Sequence, residues 1–119
     1  MRFDDRTQDT TTTTGTGNLT LSGTPPTGRV AFGTAFATGD RFPYMVESES
    51  GADWEVGEGY LSAATTLVRE TVKRSSNSDN AVNFSSGTKR VLCVWPAWVA
   101  QSQVDAGVAY HVSRGSFFP

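Results

Sequence analysis

At 119 residues, with 37% apolar and 18% charged residues and a formal charge of −2, the chain has room for one domain with its own core. So mild an acidity creates no field for nucleic acid or an anionic membrane, and neither is expected as a partner. The shortfall in apolar side chains is made up by Thr, Ser and Gly, a balance that suits short strands and many turns.

Residues 1–60 carry four basic and nine acidic groups, and residues 61–119 carry six and three. Copies with such faces can pack head to tail, but the plainer reading, which we adopt, is that the charges solvate one sheet. Cys93 is the single cysteine and sits among Val91, Leu92, Val94 and Trp95. It reads as a buried thiol, with no disulfide partner and no zinc cluster. No apolar run approaches membrane-spanning length, and Met1–Asp5 lacks the apolar stretch of a secretion signal. Synthesis in a cytosol without conventional export is expected.

The chain opens on Asp5-Arg6-Thr7-Gln8-Asp9, then threonines from Thr10 to Thr14, then Gly15-Thr16-Gly17 and Asn18-Leu19-Thr20-Leu21-Ser22-Gly23. Consecutive β-branched residues favour extended backbone, and the glycines permit a tight reversal, so a hairpin of two Thr-rich strands is expected. Neither face of those strands is greasy, which fits polar surroundings or a second subunit. Thr24–Gly28, with Pro25 and Pro26, is a loop. Phe32 and Phe36 share a face if Arg29–Phe36 makes one helical turn; an irregular link is the alternative.

Arg41–Glu47 reads as a strand that Pro43 places at an edge or bulge. Over Asp53–Ser62, Trp54, Val56 and Tyr60 share one parity, while Asp53, Glu55 and Gly57 share the other. That is a half-buried strand with Trp54 inside and the carboxylates in water; Trp54→Ala is then expected to cost roughly 3–5 kcal/mol. Thr65–Val72 is the next strand and Lys73–Asn80 a polar loop. Val82–Phe84 reads as a short strand, and Lys89–Trp95 as a core strand ending at Pro96. From Ala97 to Pro119 no period is sustained. The expected fold is all-β, a compact barrel or sandwich of short antiparallel strands over residues 1–96, with an extended C-terminal arm over 97–119. That arm packs on its own domain or on a neighbouring subunit.

Candidate chemistry is sparse. His111 is the only histidine, and no Gly-x-Ser-x-Gly elbow accompanies it, so no catalytic triad is assigned. Glu47, Glu49, Asp53, Glu55 and Glu58 could gather oxygens for calcium, but their spacing is not that of a calcium loop and solvation is the better reading. Gly15-Thr16-Gly17 lacks the third glycine and the helix of a nucleotide fingerprint. Lys73-Arg74 and Lys89-Arg90 are too small for a nucleic-acid footprint. No enzyme activity, cofactor, metal or catalytic residue is expected.

Several pieces in fixed order carry a resemblance. They are Asp5-Arg6 with Thr10–Gly17; Leu19–Gly23; Ala31-Phe32 with Thr38-Gly39-Asp40; Trp54–Gly59; Thr66–Arg69; Ser75-Ser76-Asn77; Val82–Lys89; and Pro96-Ala97. Together they span residues 5–97, and the chain resembles a small β-domain of structural proteins in tailed-bacteriophage particles. The resemblance implies a virion structural protein without activity or cofactor. The chain departs from it in the arm of residues 97–119 and in lacking fibre repeats.

A short copy of this kind fits a head decoration (cement) protein that clips over the major capsid protein, with a homo-oligomer, a trimer, suspected. Candidate subunit-interface residues are Thr10, Thr12 and Thr14, which could extend a neighbour's sheet, and Trp98, Phe117 and Phe118, which could fill a partner's groove. The alternatives are a tail or head-fibre attachment module, and a host-surface carbohydrate-binding domain using Trp54, Tyr60, Trp95 or Trp98.

Overall fold

The computed structural model describes residues 1–107, whose strands form one six-stranded sheet. They are β1 (Gln8–Thr11), β2 (Leu19–Thr20), β3 (Arg41–Ser48), β4 (Trp54–Ala63), β5 (Thr66–Ser75) and β6 (Lys89–Cys93). The spatial order is β1-β6-β3-β4-β5-β2, with every neighbouring pair antiparallel. The two outermost strands then meet. Thr11 bridges Leu21, the Ser22 N–H donates to the Thr10 carbonyl at 2.9 Å, and the Thr11 hydroxyl donates to the Thr20 carbonyl at 2.7 Å. The all-β expectation therefore resolves into a nearly closed barrel.

That closure corrects the expected hairpin. β1 ends at Thr11 and pairs along its length with β6, while β2 pairs with β5. The Thr-rich segment is the seam of the barrel, because its hydroxyls bond across a gap that two twisted strands leave imperfectly laddered. Thr13 Oγ1, for instance, accepts the Thr20 N–H at 2.9 Å.

The expected helical turn is α1 (Phe32–Ala35); Phe36 caps it in extended backbone, its N–H donating to the Phe32 carbonyl. The two rings close one end of the barrel against Phe42, with centroids 4.2 Å (Phe36) and 5.5 Å (Phe32) from the Phe42 ring. The other end is crossed by residues 80–84. The expected strand there is only a single bridge, Gly15 to Phe84, which buries Val82 and Phe84. β5 runs on to Ser75, past the expected loop boundary, and β6 stops at Cys93, which is half-buried.

Pro43 lies in a central strand rather than at an edge. Its carbonyl accepts the Val94 N–H at 3.3 Å, just past the end of the β6 ladder at Cys93. The N–H it lacks would point the same way, where no ladder bond is required.

The arm begins as a helix, α2 (Ala97–Gly107), which the broken periodicity did not announce. Val99 is buried at its start, while Gln101–Asp105 are exposed.

Candidate functional site

β4 has the opposite face inward from the one its sequence advertises. Glu55, Gly57, Gly59 and Leu61 are buried, whereas Trp54, Val56, Glu58 and Tyr60 are half-exposed on the outside. The reason is the close approach of the β5 backbone and of Tyr44, the β3 partner of Gly57. A Cβ on Gly57 would stand 2.3 Å from the Thr71 carbonyl oxygen and 3.1 Å from the Tyr44 hydroxyl; one on Gly59 would stand 2.4 Å from the Val68 carbonyl oxygen. Only glycine lets β5 and Tyr44 come this close, so the glycine parity must face in and Trp54 must face out. Trp54 is therefore not a core residue.

Glu55 follows the glycines inward and is fully buried. One carboxylate oxygen accepts the Tyr44 hydroxyl and Arg69 Nε (2.8 Å); the other accepts Arg69 Nη2 and the Val82 N–H (2.9 Å). Arg69 also donates to the carbonyls of Gly15 (3.1 Å), Gly17 (3.2 Å) and Val82 (2.7 Å), and its guanidinium lies over Phe84. The alternation that buries Leu67 turns Arg69 in and Glu70 out. β5 is bulged at this point, Arg69 and Glu70 together opposing Gly59 between the pairs Glu58–Thr71 and Tyr60–Val68.

Burial pushes the Glu55 carboxyl up, but the hydrogen bonds from Arg69, Tyr44 and Val82 outweigh it and hold the group below the usual range. Burial, then the Glu55 charge, raises the Tyr44 phenol. A carboxylate kept ionised with both oxygens occupied cannot act as a general acid. It is a brace that ties β3, β4 and β5 to the Gly15–Gly17 turn and to the segment crossing the barrel mouth.

Two other buried polar groups have structural partners. The Asp9 carboxylate takes the N–H groups of Thr10 (2.6 Å) and Gly23 (2.9 Å) and the Ser22 hydroxyl, which fastens the seam. Lys89, 2% exposed, donates from Nζ to the carbonyls of Ser85 and Gly87, each at 2.8 Å; burial lowers its pKa. Among the described residues no group of three or more His, Cys, Asp or Glu side chains could hold a metal ion.

The outer surface differs. Where α2 leaves the barrel, a groove of about 670 Å³ opens between Met45, Trp54, Val56, Val94 and the first turn of α2. Lys73 Nζ stands 4.8 Å from the Trp98 ring centre, and Arg74 lies on the same rim. Trp98 Nε1 is buried and has no acceptor among the described residues. Beside the groove, Trp95 (57% exposed) packs on Phe3 (41% exposed) with ring centres 4.8 Å apart. Asp4, Asp5 and Val94 line the shallow cleft of about 230 Å³ under that pair, together with Arg6, whose Nε donates to the Gly28 carbonyl at 2.9 Å.

Of the expected interface residues, Thr12 and Thr14 are exposed and Thr10 is half-buried, with its carbonyl already taken by Ser22. The β1 edge is therefore occupied and is not open for a neighbour's strand. Trp98 is half-buried in a groove that includes none of the threonines. Phe117, Phe118 and His111 lie outside the described residues. The sequence reading put Glu55 in solvent and gave Arg69 no role. The signal that could have found them is two glycines at i+2 and i+4 from Glu55 within a strand, which mark a face pressed against other atoms.

Comparison with protein-family models, curated proteins and solved structures finds no match to this chain.

Proposed function

We propose that this chain is a structural protein of a tailed-bacteriophage particle, a head decoration protein working through protein–protein contacts with the major capsid protein and with its own copies. The observation that carries the proposal is the placement of the aromatics. Trp54, Trp95 and Trp98 are all outside the barrel, with Met45, Val56 and Val94 nearby, whereas the ionisable groups inside are consumed in bracing it. Outward tryptophans over a rigid shell suit an interface, where large aromatics supply most of the binding energy. The resemblance over residues 5–97 supports the same reading. Many copies binding only an assembled lattice would stabilise it by mass action.

The exposed Phe3–Trp95 pair beside Asp4 and Asp5 also favours, as a second reading, a platform for a host-surface sugar. Its cleft of about 230 Å³ is smaller than the roughly 300–1,000 Å³ usual for small-molecule sites, which ranks it below a protein contact.

The deciding experiment is copy number per particle, by quantitative mass spectrometry of purified virions against the major capsid protein. A ratio of the same order as the capsid protein is expected. A few copies per particle would replace the decoration role with tail or fibre attachment, and absence would overturn the particle reading.

A further inference from the structure

We infer that the outer groove receives a second copy of this chain, whose Phe3–Trp95 pair, with Asp4 and Asp5, seats on it in a two-fold dimer. The inference rests on the reading of the chain as an assembly protein and names the contact. The groove asks for two things at once. Its walls, including Met45, Val56 and Val94, are apolar, and Lys73 and Arg74 make one rim positive. An occupant must bring apolar surface and negative charge.

The neighbouring patch brings both. Phe3 and Trp95 are the exposed aromatic pair, and Asp4 and Asp5, both exposed, follow directly in the chain. Among the described residues Asp4, Asp5 and Lys73 form no ion pair, and Arg74 has only the exposed Asp79 at 3.3 Å. Patch and groove also adjoin, since Val94 lines both. Two complementary surfaces side by side are each satisfied by a two-fold axis between them, so one closed interface makes both contacts and leaves neither open for filament growth. The aromatics supply the binding energy and the charges set the orientation.

The test is the mass of the full chain in solution, by sedimentation over a broad concentration range, with circular dichroism to check folding. Wild type should reach twice the 12.8 kDa of one chain. The double variants Asp4→Lys/Asp5→Lys and Lys73→Glu/Arg74→Glu should each stay monomeric, because each sets like charges together. Their equimolar mixture should dimerise again, since every contact in the mixed pair is opposite in sign. If a double variant does not fold, Trp95→Ser, at an exposed site, should weaken the dimer by roughly tenfold or more.

Wild type that stays monomeric throughout, reversed variants that dimerise like wild type, or a folded mixture that stays monomeric would each overturn the interface. A monomer abundant on virions would refute this contact alone. A dimer missing from virions would refute only the particle reading.

Discussion

Arg69 and Glu70 are neighbours in the chain, and each forms a two-pronged ion pair, yet they belong to different parts of the molecule. Arg69 grips Glu55 inside the barrel, where the two side chains are 2% and 0% exposed; Glu70 holds Arg41 outside, where they are 35% and 47% exposed. The outer pair is well formed, with both N–O distances at 2.7 Å. Geometry is therefore not what separates them. Water can take over either partner of the outer pair, and salt screens it. Inside, a lone partner would have nothing to replace the other.

The largest effect should come from removing the inner cation. Arg69→Ala leaves the Glu55 carboxylate buried and short of its main donor, and releases three carbonyls at the barrel mouth. A loss of about 3–5 kcal/mol in chemical denaturation is expected; a loss below about 1 kcal/mol would mean that Glu55 finds water.

Next comes the face of β4. Gly59→Ala sets a Cβ against the Val68 carbonyl oxygen and should cost about 1–3 kcal/mol. Trp54→Ala, on the half-exposed side, should cost only about 1 kcal/mol. The reverse order in paired melting curves would return Trp54 to the core and undo the inverted face.

Acid should separate the two pairs as well. The folded pKa of Glu55 lies below its unfolded value, so its charge stabilises the fold above about pH 4.3 and loses that contribution as the pH falls through the lowered folded value. Wild type should melt progressively earlier over that acid range, and Glu55→Gln should flatten the dependence. An unchanged slope in the variant would show that Glu55 is not the titrating group. The smallest effect belongs to Glu70→Gln, for which no measurable change in melting temperature is expected. A clear drop would make the exposed pair structural.

Much of the fold is legible in the sequence. The strands near Arg41–Glu47, Asp53–Ser62, Thr65–Val72 and Lys89–Trp95 can be read from it, because alternation and β-branched content are local properties. The inward face of β4 is not legible. Trp54, Val56 and Tyr60 form the more hydrophobic parity, and the close approach of the β5 carbonyls and Tyr44 to Gly57 and Gly59 decides against them. Arg69 and Glu55 are fourteen positions apart, and their meeting depends on how β5 registers against β4, which no short pattern records. α2 leaves no periodic mark in the sequence, because Val99 is buried at its start while Gln101–Asp105 are exposed and carry no buried stripe.

The sequence by itself determined a β-rich, turn-rich chain with too few apolar residues for a broad core and a threonine segment bound to be extended. Steric preference and composition act within a few residues and need no partner to be read. Tertiary structure decided that the threonines form the seam of a barrel, that a glutamate and not a tryptophan looks inward, and that the tryptophans are left outside while Phe32, Phe36, Phe42, Tyr44 and Phe84 fill the core. Those outcomes turn on which strand lies beside which, and on how closely two backbones approach. Both are set by packing between residues far apart in the chain.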